Sequence, residues 1–120
     1  MAEKIDRLEI ITKKGPNDIV TVSLKGIIDG YTYVQLEEVF NRLIQEQNYK
    51  FMVDLSQVDY MTSAGAGFFL SLLGIVQKDN GNIIFVKPNQ AVRKLFDLLG
   101  FTSVFTISDD TDDSLFPALI

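Results

Sequence analysis

Two adjacent hydroxyls, Thr62 and Ser63, stand where the chain passes from an acidic stretch into an apolar, glycine-bearing run, Asp59-Tyr60-Met61-Thr62-Ser63-Ala64-Gly65-Ala66-Gly67. Hydroxyls so placed can attack a substrate, accept a phosphoryl group or cap a helix. Attack needs a base. The chain has 120 residues with no His and no Cys, which excludes Ser-His-Asp and Cys-His devices, disulfides, and imidazole or thiolate metal sites. Nor does Ser63 sit in a G-x-S-x-G elbow. Gly65-x-Gly67 is not a dinucleotide fingerprint, because Leu70 replaces the third glycine and the pair lies well past the preceding strand. Phosphoryl acceptance remains. A helix starting at Ser63 would offer unpaired N–H groups and partial positive charge to a phosphate. Asp54 and Asp59, close in sequence, would meet it as like charge. The plain alternative is that Thr62 or Ser63 is only an N-cap, and the local residues leave both open.

Other groupings are weaker. Ser63, Gly67, Ser71, Gly74 and Lys78 recur at intervals of three and four, so a helix would carry them on one face. Two glycines inside a helix cost ~1 kcal/mol each relative to Ala. Either the strip admits a partner closely or the helix packs tightly on its own neighbours, and an exposed Phe68 beside it would favour the partner. The acidic run Asp109, Asp110, Asp112, Asp113 lacks the Gly and terminal Glu of a calcium loop and reads as a solvated helix start. The four Tyr and nine Phe show no basic interleaving and read as core. With 11 Lys+Arg against 16 Asp+Glu the net charge is −5, which argues against nucleic acid as a partner. No metal or cofactor is expected. The N-terminal residues lack the apolar core of a signal peptide, and the longest apolar stretch is too short to span a membrane. These features point to a cytoplasmic, soluble chain.

The elements that must position these residues follow from periodicity. Leu8, Ile10 and Thr12 alternate with Arg7, Glu9 and Ile11, and Val20, Val22 and Leu24 alternate with Thr21, Ser23 and Lys25. With Gly15-Pro16-Asn17 between them, they predict a hairpin. Leu36, Val39, Phe40, Leu43 and Ile44 form a helical stripe over residues 32–47, opened by a capping box at Thr32 and Gln35 and supported by a Glu38–Arg42 pair. Phe51–Leu55 reads as a buried strand followed by a loop over 56–62, and a second helix runs from about Ser63 to Lys78. Ile83–Val86 is another strand. A third helix carries Val92, Leu95, Phe96 and Leu99 on one face and stops at Gly100. Val104–Ile107 reads as an edge strand, and Ser108–Ile120 as a short docked helix. The expected fold is α/β: one domain over residues 1–120, with a mixed, mostly parallel sheet of four to five strands flanked by about four helices.

If the second, third and fourth strands are parallel, the loops 26–31, 56–62 and 87–89 leave the same edge of the sheet, where α/β proteins place their sites. Asp29, Asp59, Thr62, Ser63 and Lys87 become candidates for one surface.

Three segments together resemble a known family. They are Val53-Asp54-Leu55-Ser56-x-Val58-Asp59-Tyr60-Met61-x-Ser63-x-Gly65-x-Gly67, then Gly26-Ile27-Ile28-Asp29, and Lys87-Pro88-Asn89-x-x-Val92-Arg93-Lys94-Leu95-Phe96-x-x-x-Gly100-Phe101. In this order they resemble the STAS domain of bacterial anti-sigma factor antagonists. The resemblance implies a partner-switching regulator and not an enzyme. Unphosphorylated, it binds an anti-sigma factor with serine kinase activity; phosphorylation releases it, and a serine phosphatase reverses the change. It implies a monomer that forms hetero-complexes. The family's phosphoacceptor falls on Ser63 and its loop aspartate on Asp29. Asp59, Thr62, Gly65, Gly67 and Ser71 join them as expected partner-binding residues. The sequence departs from the family at Thr62, which replaces an acid and makes Thr62 a minor candidate acceptor. It departs again at Ala66, where a larger apolar residue is common, so that a partner contact would shrink. Two other readings stay open: a constitutive STAS-like interaction subunit of a transporter or signalling complex, and a small-ligand sensor at the carboxyl edge.

Overall fold

The computed structural model of the chain describes residues 7–109. Strand β1 (Leu8–Lys14) and strand β2 (Ile19–Ile28) form the expected antiparallel hairpin through a 3-10 turn at Pro16–Asp18. Helix α1 (Tyr33–Gln45), strand β3 (Lys50–Met61), helix α2 (Ser63–Gln77), strand β4 (Asn82–Val86), helix α3 (Gln90–Leu99) and strand β5 (Thr106–Ser108) follow. The sheet order is β1-β2-β3-β4-β5, with β2 through β5 parallel. The α/β class and the mostly parallel sheet are as expected. Three α-helices lie among the described residues; the expected fourth falls beyond Asp109, outside them, while Ser108 itself closes β5. No helix among the described residues is long and apolar enough to cross a membrane.

Each crossover steps to the next strand in the same direction. With right-handed connections, the three helices must then lie on one face. The packing agrees. One core joins Val20, Val22 and Leu24 of β2, Phe51, Val53 and Leu55 of β3, and Ile83 and Phe85 of β4 to apolar residues of all three helices. The alternate residues Ile19, Met52, Ile84 and Val86 form a separate, smaller cluster on the opposite face. A chain of rings runs through the main core from Phe51 and Phe40 through Phe69 to Phe85, and on to Phe96, Phe101 and Phe105. The described phenylalanines are therefore core or packed against it. Of the tyrosines, Tyr49 packs against the core, whereas Tyr31 and Tyr60 are exposed, which corrects the expectation for these two.

Strand β3 is longer than expected. The predicted loop over 56–62 is strand as far as Met61, and Gly26–Ile28 is strand as well. The register against β2 slips by one residue twice, between Asp54 and Gln57 and again at Asp59, so β3 carries two extra residues. Each slip leaves two exposed residues between buried ones: Ser56 and Gln57 between Leu55 and Val58, Asp59 and Tyr60 between Val58 and Met61. That pattern breaks the alternation by which a strand is read from sequence.

Two local expectations for α1 also change. Thr32 does not cap it. Its backbone is already helical, and its hydroxyl donates to the Ile27 carbonyl at 2.8 Å and accepts from the Asp29 amide at 2.9 Å. Among the described residues Glu38 and Arg42 form no ion pair.

Candidate functional site

The three loops that leave β2, β3 and β4 meet at one edge, as the topology requires. Thr62 donates its amide to the Ile28 carbonyl at 2.9 Å, which joins the end of β3 to the end of β2. Asn89 donates its side-chain amide to the carbonyls of Val58 and Asp59, both at 3.0 Å, which joins the third loop to β3. The same side chain caps α3 by accepting from the Val92 amide at 2.8 Å. Lys87 stands in the same loop with a left-handed backbone (φ 57°) and is exposed.

Thr62, and not Ser63, is the cap of α2. It has extended backbone angles and accepts from the Gly65 amide at 3.1 Å. Ser63 is the first helical residue and is exposed, and no hydrogen bond within the described residues engages its hydroxyl. Of the first amides of α2, that of Thr62 goes to Ile28 and that of Gly65 to the cap. The amides of Ser63 and Ala64 are left without an intrahelical acceptor. Glycine is required at 65: a Cβ there would stand 2.7 Å from the Ile28 carbonyl oxygen, so only glycine lets α2 begin against the end of β2.

Asp29 lies 6% exposed and is the organiser of the first loop. Its Oδ1 accepts from the amides of Tyr31 and Thr32 at 2.9 Å each, and its Oδ2 accepts from the Arg7 guanidinium at 2.5 Å. The Asp29 carbonyl accepts from Tyr33, so Asp29 does at the start of α1 what was expected of Thr32. The Thr32 amide, followed by the Tyr31 amide and the Arg7 charge, holds the carboxyl below the usual carboxylate range despite its burial. The Arg7 guanidinium also stands 5.9 Å from the centre of the Tyr31 ring.

Further residues place the strip on α2. Gly67, Ser71 and Gly74 are exposed, and a Cβ added at Gly67 or Gly74 would meet nothing within 4 Å. Tight packing against the chain's own neighbours therefore does not explain these two glycines. The strip borders a groove of about 380 Å³ between α1 and α2, lined by Tyr33, Glu37, Asn41, Ser71 and Ile75 among others. Phe68 is only partly exposed, with its ring on Phe40 and Phe69, so it is not the exposed neighbour that would favour a partner on the strip. Ala66 is fully buried, so its small size bears on how α2 packs inside the molecule and not on a partner contact.

The structure thus brings Asp29, Asp59, Thr62, Ser63, Gly65 and Lys87 to one edge, with Gly67 and Ser71 continuing along α2. Arg7, Tyr31 and Asn89 belong to the same edge and were not singled out from sequence. Asn89 was legible as a cap, since it follows a proline and precedes an apolar helical pattern. The reach of Arg7 to Asp29 across 22 residues left no local signal.

Comparison with known proteins places these features in a family. The STAS domain pattern matches residues 11–114. The chain is 29% identical over 96 residues to a Staphylococcus epidermidis protein named anti-sigma-B factor antagonist, covering 80% of this chain and 89% of that one. An anti-sigma factor antagonist from Mycobacterium paratuberculosis superimposes with a TM-score of 0.79 at 23% identity, covering 90% and 91% of the two chains. The anti-sigma factor antagonist SpoIIAA superimposes in its unphosphorylated form with a TM-score of 0.77 at 17% identity, covering 90% and 94%. The phosphorylated form of this Bacillus protein gives 0.70 at 17% identity, covering 89% and 96%. With the family pattern running from the hairpin through all three edge loops, this chain belongs to the STAS domain family.

Proposed function

We propose that this chain is an anti-sigma factor antagonist that binds an anti-sigma factor with serine kinase activity while unphosphorylated, and is switched off by phosphorylation of Ser63. The observation that carries the reading is the division of labour at the start of α2: Thr62 caps the helix, and the Ser63 hydroxyl is exposed and unengaged beside two unpaired amides. A kinase can reach such a hydroxyl without unfolding anything, and the helix end tolerates the phosphate that results. The names of the relatives and the two SpoIIAA forms support the same reading. The chain performs no chemistry in this scheme. A serine phosphatase restores it, and it works in the cytoplasm as a monomer that enters hetero-complexes.

The binding surface is the three-loop edge together with the α2 strip: Asp29, Asp59, Thr62, Ser63, Gly65, Gly67 and Ser71, with the buried Asp29 acting by holding the first loop in place. Gly65 acts by letting α2 start there, and Gly67 and Ser71 by keeping the groove wall low. Thr62 in place of the family's acid keeps the cap, since Thr, like Asp, is a good capping residue. It removes a negative charge next to the acceptor and adds a second hydroxyl, which is the minor acceptor.

The test is incubation with ATP and the kinase-type anti-sigma factor of the source organism, followed by phosphopeptide mapping. Phosphate is expected on Ser63. Ser63→Asp is expected to weaken binding by about 10-fold or more, because it sets an unpaired charge into the contact. Ser63→Ala is expected to bind and to resist modification. No phosphate on Ser63 or Thr62, with unchanged binding by Ser63→Asp, would overturn the switch. Stable co-purification with a transporter subunit, indifferent to Ser63→Ala, would establish a constitutive interaction module instead.

A further inference from the structure

The Asp29 carboxylate is occupied by its own chain, and with 6% of the residue exposed a partner can touch little of it. What a partner meets is what Asp29 holds in place. The Arg7 side chain is 42% exposed, and Tyr31 is 82% exposed with the guanidinium 5.9 Å from its ring centre. We propose that Arg7 and Tyr31 form a guanidinium–aromatic contact surface for an acidic segment of the anti-sigma factor, and that Asp29 is the positioning residue that holds them. The proposal rests on the function proposed above and deepens it.

The backbone around the pair is built to hold it. Gly26 has φ +119°, and a Cβ there would stand 2.1 Å from the Arg7 carbonyl oxygen. Only glycine lets β1 lie that close, and the Ile27 amide then donates to the Arg7 carbonyl at 2.8 Å. This fixes the root of the Arg7 side chain beside the end of β2. At the far side of the loop the Thr32 hydroxyl spans back to the Ile27 carbonyl. Tyr31 is thus an exposed ring on a loop whose flanks are both tied down. A partner that closes on it pays little in loop ordering. Tyr and Arg are also the residues that most often dominate protein interfaces.

The chemistry of the pair selects its partner. A guanidinium has five N–H donors, and Asp29 engages one of its nitrogens. The remaining donors match a carboxylate, and the Tyr31 face takes an apolar or aromatic neighbour of that carboxylate. The loop abuts the start of α2, where a Cβ at Gly30 would lie 3.8 Å from that of Ala64, so a phosphate on Ser63 would set negative charge on the same edge. An acidic partner segment would be repelled by it, which is the sense the switch requires.

The experiment measures binding of the full chain to the purified kinase-type anti-sigma factor at two salt concentrations, with chymotryptic cleavage after Tyr31 as a readout that needs no partner. Tyr31→Ala is expected to keep the wild-type circular dichroism and melting temperature and to bind about 10-fold more weakly. Arg7→Gln and Asp29→Asn are each expected to weaken binding and to speed cleavage after Tyr31 several-fold, and Arg7→Gln, which removes the charge, is also expected to lose salt dependence. Their double variant should lose no more than the worse single one, as coupled residues do. Arg7→Lys should restore the salt dependence but only part of the affinity. Wild-type affinity in both Tyr31→Ala and Arg7→Gln overturns the contact surface. Additive losses in the double variant, or unchanged cleavage, overturn the positioning role. If Asp29→Asn fails to fold, the Tyr31 and Arg7 variants decide. A wild-type chain that binds no such factor overturns the proposed function and this surface with it. Binding by wild type with indifference to Tyr31 and Arg7 overturns the surface alone.

Discussion

Single residues at the edge divide tasks that sequence alone leaves merged. Both Thr62 and Ser63 were legible as a helix start, but which one caps depends on backbone angles: extended at Thr62, helical at Ser63. Asp29 was legible as an edge residue. Its role as an inward organiser was not, because that rests on Arg7, which the hairpin brings to it. A pH experiment tests this role. The folded-state carboxyl is held below its ordinary value by the Thr32 and Tyr31 amides and by Arg7. The stabilisation it gives is therefore complete above the ordinary carboxylate range and is lost as pH falls through the lowered folded value. Urea midpoints measured from pH 7 downward should fall below about pH 4. Asp29→Asn should be less stable at pH 7 and should lose less over the same range. Equal pH profiles for the two proteins would show that Asp29 is not an anchor.

At the scale of elements, α2 and β3 carry the informative departures from simple patterns. Helix α2 contains glycines of opposite meaning. Gly65 meets the Ile28 carbonyl, whereas Gly67 meets open space. Gly65→Ala should destabilise the chain by about 1–3 kcal/mol, since backbone must move to admit the methyl group. Gly67→Ala should stabilise it by about 0.5–1 kcal/mol through helix propensity. It should also weaken partner binding if the strip lies in the interface. Chemical denaturation of the two variants gives the first comparison, and opposite signs are the expected result. Spacing placed both glycines on a helix but could not tell them apart, because the difference lies in β2. The extent of β3 was missed for a related reason. Two one-residue slips replace alternation with pairs of exposed residues, and those pairs read as a polar loop. The regular elements α1, α3 and β4 were legible within a residue or two, because each buries one uninterrupted apolar pattern.

In the whole molecule, the aromatic chain ties the elements together. Phe85 sits at its branch point, with ring centres 5.0 Å from Phe69, 4.9 Å from Phe96 and 4.8 Å from Phe105. It is fully buried in β4 and joins α2 to α3 and to the turn before β5. Phe85→Ala should cost about 3–5 kcal/mol, a large share of the stability of a domain of this size. Calorimetry should show one transition, shifted well down. A loss under about 1 kcal/mol would mean the rings do not act as a connected core. The overall class and strand order followed from alternating apolar patterns and the handedness of crossovers. The strand order has a consequence for ligands. Small molecules in open α/β sheets settle in the crevice that opens where successive crossovers part to opposite faces. Here the order from β2 to β5 never reverses, so the helices never part and the sheet has no such cleft. The edge loops are thus brought together by unreversed strand order alone, and not by a parting of the helices.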